Sequence, residues 1–312
     1  MIEENYPALQ KQIGFLKTQA KNNLFYWDIS DHEAIDPKPE ALTASAFYYH
    51  HVSLAAVFAG ILGEKDDSVT YDKLREQIKQ NIVRQFYIPA TGRFDNATQS
   101  AQLFALWYGL TPDKTKSLEV LQEELKRHSD RLSTGIFSTQ MFFDVMREND
   151  LNEIAYQVVN QNKYPGWGYM LQRGATTLWE SWDFPETGPS RNHPMFGSVD
   201  EWFYRSLLGI NPAEPGFRKV IIKPQPAGDL TWAEGSYRSV RGLISSSWKK
   251  SDAGFSLEVE IPPNVTAQVW IPSVDKSQIL ERGKPVPNVQ YDSGYAVIEI
   301  GSGAYSFQSK AD

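Results

Sequence analysis

The stretch SVDEWFYRSLLGINPAEPGFRKVIIKP, residues 198–224, contains the change of pattern that decides the fold. Its first half has the apolar spacing of a helix over 198–210, with Ser198 as the predicted N-cap and Glu201 completing a capping box. Residues 211–216 form a linker rich in Pro and Gly. The remainder alternates apolar and polar residues as strands do. We therefore predict that a helical region ends here and that a β-module begins.

The chain before this stretch carries apolar residues at helical spacing. We place helices at 41–63, 72–87, 96–110, 113–130, 137–150 and 152–161. The first should end at Gly63, and the third should begin near one of two candidate N-caps, Asn96 or Thr98. Similar helix lengths and short loops indicate stacked helical hairpins.

The chain after the linker has the pattern of strands throughout. Alternating segments cover 217–224, 230–240, 241–250, 255–263, 266–272 and 295–300. Because Gly, Pro, Asn and Asp separate them, they are typical of an antiparallel β-sandwich. The predicted fold class is mainly α with a separate all-β module, with domains at 1–212 and 213–312.

Composition limits the kinds of partner. The 312 residues include 41% hydrophobic and 22% charged residues, as in ordinary globular proteins. The net charge of −7, without a run of Lys and Arg, argues against nucleic acid or a membrane as the main partner. No stretch approaches the roughly 18 apolar residues of a membrane span. Residues 1–12 lack the apolar core of a signal peptide, and the compartment stays open.

Residues 174–197, GATTLWESWDFPETGPSRNHPMFG, combine carboxylates with indoles. We expect a short helix or turn in which Trp179 and Trp182 flank Glu180 and raise the pKa of its carboxyl group, as acid–base catalysis requires. On a helix, Asp183 would share a face with Glu180 and perturb it further. The alternative is that Glu180 is an exposed residue whose tryptophans belong to the core.

Two neighbouring segments carry further candidates for sugar binding. In 163–177, Trp167 alternates with glycines, either as a sugar platform or as packing between helices. Arg191, Asn192 and His193 offer hydrogen bonds to sugar hydroxyls, although a single His is more often structural.

The loop at 23–40 could bind a cation or a substrate. Its polar and aromatic residues include Trp27, Asp28, Asp31, His32, Glu33 and Asp36. The spacing of Asp31, His32 and Glu33 is not that of a known metal motif, so we predict neither a metal nor a cofactor. The chain has no Cys, which excludes thiol catalysis, and no P-loop, GxSxG or dinucleotide motif. Carboxylates beside aromatic residues indicate glycosidase chemistry.

Several segments resemble the bacterial α-L-rhamnosidases of glycoside hydrolase family 78. They are YPGWGYMLQRGATTLWESWD, NHPMFGSVDEWFYRSLLGI, GFRKVIIKPQP and EGSYRSVRGLISSSW. The resemblance covers nearly the whole chain and corresponds to the C-terminal part of the family. It implies part of an (α/α)6 barrel followed by a β-sandwich, and a hydrolase that releases terminal α-L-rhamnose with inversion.

The resemblance also implies roles for individual residues. Glu180 matches the general base of the family, and His193 matches a histidine that lines the sugar subsite. Trp167, Trp179 and Trp182 lie where the family has aromatic pocket residues. Trp27 and Asp28 lie near a Trp/Asp loop of the family.

The sequence departs from the family pattern in two places. The segment that carries the general acid, roughly D-E-R-x-G-W, is not found, and Pro194 follows the Asn-His pair where the family often has an aromatic residue. We therefore expect an N-terminally incomplete barrel and weak activity, unless Asp28, Glu33 or Asp183 acts as the acid. Three alternatives stay open: a non-catalytic carbohydrate-binding protein, another (α/α)6 enzyme such as an uronide hydrolase or lyase, and a subunit that pairs with a second chain or an upstream fragment.

Overall fold

A computed structural model describes residues 1–183, 190–273 and 278–310. The chain divides into two compact units. The first comprises Met1–Val145 and Val158–Phe196, and the second comprises Met146–Gln157 and Gly197–Asp312. The second unit thus takes up a short segment from within the helical region. The domain limits of 1–212 and 213–312 stay a prediction.

Helices dominate the chain up to residue 202. They are α1 Ile2–Gln19, α2 Glu40–Leu62, α3 Lys65–Phe86, α4 Gln99–Trp107, α5 Lys114–Arg127, α6 Ile136–Glu148, α7 Asn152–Val159, α8 Trp167–Gln172 and α9 Ser198–Trp202. Two short strands, β1 Tyr87–Ile88 and β2 Arg93–Phe94, pair as a hairpin after α3. The predicted fold class, mainly helical and followed by a β-module, is confirmed.

The ends of several helices follow from local chemistry. Helix α2 ends at Gly63, whose φ of 79° suits a residue without Cβ. Of the two predicted caps of α4, Thr98 is the N-cap, because its side chain accepts a hydrogen bond from Ala101 N. At α5, the carboxylate of Asp113 accepts a bond from Lys116 N at 3.1 Å.

The predicted capping box at Ser198 is wrong. Gly197 occupies the N-cap of α9, and no side chain caps this helix. Because Ser198 is already helical, its hydroxyl cannot serve as the N-cap acceptor, and Glu201 instead pairs with Arg205 at 2.6 Å. The single helix predicted over 198–210 is also not regular. Its α-helical part covers only Ser198–Trp202, and a π-helical turn follows over Phe203–Leu207.

The β-module contains two sheets. The strands are β3 Ile210–Pro212, β4 Lys219–Ile222, β5 Trp232–Ser239, β6 Gly242–Ser251, β7 Gly254–Ile261, β8 Thr266–Pro272, β9 Ile279–Glu281, β10 Lys284–Pro285, β11 Gln290–Asp292, β12 Tyr295–Ile300 and β13 Gly303–Lys310. One sheet has the order β10-β9-β13-β7-β6-β5, and the other has the order β11-β12-β8-β4-β3. Among the strands that the structure describes, pairing is antiparallel except between β4 and β8, which run parallel.

Alternating residues of both sheets form one apolar core. Ile244 and Leu257 from the first sheet belong to the same buried cluster as Val220 and Val269 from the second. Two sheets that share a core in this way make a β-sandwich, as the alternating pattern predicts.

Helix α2 changes one expectation about membranes. By length and composition alone, Glu40–Leu62 meets the requirement for a span, whereas the sequence was expected to hold no such stretch. A single helix of this kind is weak evidence, because core helices of water-soluble proteins meet the same requirement. In this chain, α2 buries Ala46, Val52 and Ala55 completely within the first unit.

Candidate active site

The segment around Glu180 is not a helix. Residues 176–183 form a series of bends, and backbone bonds join them to 190–193. Glu180 N donates to Ser190 O, and His193 N donates to Leu178 O, both at 2.9 Å. Glu180 and Asp183 therefore do not share a helical face, because this segment is not helical and its backbone bonds join it to residues 190–193. Residues 184–189 lie outside the described residues.

Three buried tryptophans hold this segment in place. Trp167, Trp179 and Trp182 are 9%, 3% and 1% exposed. Trp182 Nε1 donates to Thr134 O at 2.7 Å, and the ring lies 4.0 Å from that of Phe196, centroid to centroid. These rings pack in the core, as the alternative interpretation of the sequence has it. Their role in sugar binding stays a prediction.

Backbone and histidine groups surround the carboxylate of Glu180. Ser190 N donates to Oε2 at 2.8 Å. His32 Nε2 lies 3.6 Å from Oε1, and His193 Nε2 lies 4.0 Å from the same oxygen. Both distances exceed a direct hydrogen bond, so the histidines act on Oε1 through their charge or through water. The Glu180 side chain is 22% exposed, so the carboxylate site is partly open to solvent.

These contacts set the direction of the pKa shift of Glu180. The hydrogen bond from Ser190 N lowers the pKa most, the positive charge of His193 and then the contact with His32 lower it further, and partial burial opposes them. The net pKa lies below its ordinary value. The expected rise in the pKa of Glu180 is therefore wrong. The indoles that were to cause it belong to the core, and the carboxylate instead lies beside Ser190 N and the rings of His32 and His193.

The other predicted residues lie in two loops. Trp27 is 75% exposed, and Asp28 accepts bonds from Ser30 N at 2.7 Å and Thr43 Oγ1 at 3.0 Å. Burial raises the pKa of Asp28, although these two bonds lower it in part. Asn192 is exposed, and its backbone N donates to the hydroxyl of Ser190.

His32 is the site residue that sequence reasoning missed. It was noted as part of the polar loop at 23–40, but nothing in its spacing connects it to Glu180. Its ring lies 3.6 Å from Glu33 Oε1 as well as 3.6 Å from Glu180 Oε1. Among the described residues, no group of three or more His, Asp or Glu side chains is placed to hold a metal ion.

Family comparison gives this geometry a context. Residues 1–207 match the family described as bacterial alpha-L-rhamnosidase 6 hairpin glycosidase domain, and residues 209–284 match the bacterial alpha-L-rhamnosidase C-terminal domain. The chain belongs to the bacterial α-L-rhamnosidases. The resemblance read from the sequence is thereby confirmed.

Individual rhamnosidases extend the match. One from Streptomyces avermitilis is 33% identical over 282 residues, covering 87% of this chain and 27% of that protein. The structure of α-L-rhamnosidase from Dictyoglumus thermophilum has 32% identity and a TM-score of 0.93, covering 99% of this chain and 37% of that one. A crystal structure of Streptomyces avermitilis α-L-rhamnosidase complexed with L-rhamnose has 30% identity and a TM-score of 0.92, covering 99% and 31%. The chain spans about a third of the length of these rhamnosidases.

Proposed function

We propose that this chain supplies the general base of an inverting α-L-rhamnosidase, and that Glu180 is this base. The observation that carries the proposal is the asymmetry of its carboxylate. Oε2 is held by Ser190 N at 2.8 Å, while Oε1 faces two histidine nitrogens in a partly exposed site. A carboxylate fixed by one oxygen can accept a proton from water on the other.

The proposed substrate is a glycoside with a terminal α-L-rhamnose. The family to which the chain belongs supports this substrate class, and one similar structure is described as complexed with L-rhamnose. His193 is proposed to contact the sugar, because its Nε2 lies beside Glu180 Oε1. Asn192 and Trp27 are proposed to contribute from exposed loops, whereas Trp167, Trp179 and Trp182 act mainly by supporting the backbone.

An inverting mechanism requires a second carboxyl group as the general acid. The two groups stand roughly 6.5–9.5 Å apart, with the sugar and a water between them. Within this chain, Glu33 faces the same His32 ring as Glu180 does. Oε1 of each carboxylate lies 3.6 Å from the same His32 nitrogen, and these distances do not give Glu33 the role of the acid. We propose that the acid belongs to a segment like the family's D-E-R-x-G-W.

The test is hydrolysis of nitrophenyl α-L-rhamnoside by the chain and by Glu180→Gln. Loss of a general base lowers turnover by about 10²–10⁴-fold. Glu123→Gln, an exposed glutamate on α5, serves as the matched control. Proton NMR of the released sugar reports whether the anomeric configuration is inverted. Turnover that survives Glu180→Gln would contradict the proposed base.

A chain that binds rhamnose but shows no turnover even when an acid-bearing family segment is supplied would support the non-catalytic alternative instead. Titration calorimetry with rhamnose measures this binding directly. Turnover by the chain alone, lost in Glu180→Gln, would show that an acid within the chain completes the pair. In that case the same assay on Asp28→Asn, Glu33→Gln and Asp183→Asn identifies which of the three candidates it is.

One surface supports the alternative of a pairing subunit. Leu54, Val57 and Ile61 lie on one face of α2 and are 37%, 52% and 63% exposed. We propose that a second copy of the chain covers this apolar stripe. Light scattering coupled to size-exclusion chromatography should then show a dimer that Ile61→Glu converts to a monomer, with Val240→Glu as the control. A monomeric parent chain would contradict this pairing.

A further inference from the structure

We infer that His32 is a positioning residue for the Glu180 carboxylate and that the buried Asp31 side chain holds His32 in place. The inference rests on the proposed role of Glu180. The Nε2 atoms of His32 and His193, which come from two distant segments, lie 3.6 and 4.0 Å from Glu180 Oε1. Ser190 N donates to the other oxygen, so groups that favour the ionised carboxylate lie on both of its oxygens.

Asp31 is a fully buried carboxylate with a complete set of donors. It accepts hydrogen bonds from Gly135 N at 2.7 Å, and from Phe137 N and Ser138 N at 3.1 Å. The hydroxyls of Ser100 and Ser138 also donate to it. A buried charge is tolerated only with such partners, and here most of them belong to the first turn of α6, where a negative charge is favoured.

The backbone of His32 is bonded to the same turn. Ile136 N donates to His32 O at 2.8 Å. A Cβ at Gly135 would lie 2.0 Å from His32 O and 2.6 Å from Asp31 O, so only glycine allows this approach. The N-terminus of α6 therefore determines where the His32 ring stands, and Asp31 provides the charge that keeps the loop there.

The loop conformation makes this anchoring necessary. Ser30 and Glu33, which flank Asp31 and His32, have φ values of 53° and 64° in the left-handed region. Residues other than glycine adopt this region only when their surroundings impose it. Without the bonds to Asp31, the loop would relax and His32 would leave Glu180. Glu33 Oε1 lies 3.6 Å from His32 Nε2, but this contact would not by itself keep the His32 ring beside Glu180.

The experiment follows the titration of Glu180 by ¹³C NMR in protein labelled at the glutamate δ-carbon, with the signal assigned by its loss in Glu180→Gln. Among the described residues, the charged and donor groups next to this carboxylate are Ser190 N, His32 and His193, and Glu33 Oε1 lies 3.6 Å from the same His32 nitrogen. Because a protonated ring near Oε1 favours the ionised carboxylate, His32→Gln should move the titration midpoint upward. His51→Gln, a histidine on α2 that bonds Phe47 O, should not move it.

Asp31 is tested in the same assay. Asp31→Asn should shift the midpoint of Glu180 in the same direction, and the double variant with His32→Gln should show no further shift, because Asp31 acts through His32. If Asp31→Asn does not fold, Ser100→Ala combined with Ser138→Ala removes two donors more gently and should give a smaller shift of the same sign. A midpoint unchanged by His32→Gln overturns the inference, and a further shift in the double variant overturns the part assigned to Asp31.

Turnover provides a second measurement. His32→Gln should lower kcat by up to about 10²-fold with KM nearly unchanged, since misplacement of a catalytic group by about 1 Å costs this much. The NMR titration requires no turnover. If turnover survives Glu180→Gln while the Glu180 signal shows the shift, the proposed function is contradicted and this inference stands. If turnover is lost in Glu180→Gln but His32→Gln does not move the Glu180 midpoint, the proposed function stands and this inference is overturned.

Discussion

Replacement of Asp31 by Ala tests how much of the helical unit depends on one buried carboxylate. The backbone N–H groups of Gly135, Phe137 and Ser138 lose their acceptor in this variant. Loss of an N-cap costs about 1 kcal/mol. Two further buried donors without partners cost about 1–3 kcal/mol each, although the hydroxyls of Ser100 and Ser138 can still bond each other. The expected loss is therefore about 3–7 kcal/mol.

Asp113→Ala provides the matched comparison. Asp113 also caps a helix, but it is exposed and accepts a single backbone bond, from Lys116 N. Its replacement should cost only about 1 kcal/mol, because water can replace the lost acceptor. Against a total stability of roughly 5–15 kcal/mol, the difference between the two variants is large.

The assay is urea unfolding followed by far-ultraviolet circular dichroism. Because the chain has two compact units, the helical transition is fitted separately from that of the β-module. The reasoning is refuted if Asp31→Ala loses no more stability than Asp113→Ala. A loss confined to the β-module would refute it equally, since every partner of Asp31 named above lies in the first unit.

Three further variants test the site and its support. Ser190→Pro removes the donor to Oε2 of Glu180, so the pKa of Glu180 should rise. Its ¹³C titration midpoint, and the acid-side limb of any pH–rate profile, should then move to higher pH. Trp182→Phe leaves a buried carbonyl without its donor and should cost about 1–3 kcal/mol in urea unfolding. Gly209→Ala should be more destabilising by the same measurement than Gly174→Ala; both have positive φ, but only the former places a Cβ against backbone, at 2.1 Å. Equal losses of unfolding free energy for Gly209→Ala and Gly174→Ala would show that the positive φ alone determines the cost.

The sign of the Glu180 effect follows from its lowered pKa. A carboxyl group with a pKa below its unfolded value stabilises the folded chain when ionised. This contribution is present above the unfolded pKa and is lost as the pH falls through the folded one. Ser190→Pro raises the folded-state pKa of Glu180, so the pH range between the folded and unfolded pKa values becomes narrower at its acidic end.

The fold could be predicted largely because its signals are periodic. Apolar spacing gave the positions of α2 and α4–α7, and strand alternation gave the sandwich. Helix α1 was missed because it buries only Tyr6 and Ile13, too few for an apolar stripe. The start of α3 at Lys65 was also missed, since its first turn is charged, with Asp66 and Asp67 stabilised by the helix dipole rather than by burial.

The candidate site was less accessible to sequence reasoning. Glu180 and His193 stood out by residue type, but the segment around Glu180 was expected to be a short helix or turn. In the structure, backbone hydrogen bonds join residues 178 and 180 to residues 193 and 190, and no local pattern encodes such pairing. His32 could not be placed at all, because its position depends on Asp31 and on the N-terminus of α6 more than a hundred residues away.

The lowered pKa of Glu180 also constrains how the proposed base would work. A carboxylate held in its ionised form is ready to accept a proton at neutral pH, but it is a weaker base than one with a pKa near the working pH. Its contribution to the rate must then come more from placement than from basicity. Placement is what Ser190 N and His32 provide, and the His32 loop depends in turn on the buried charge of Asp31. Under this mechanism, variants that displace the carboxylate should reduce turnover more than variants that raise its pKa while leaving it in place.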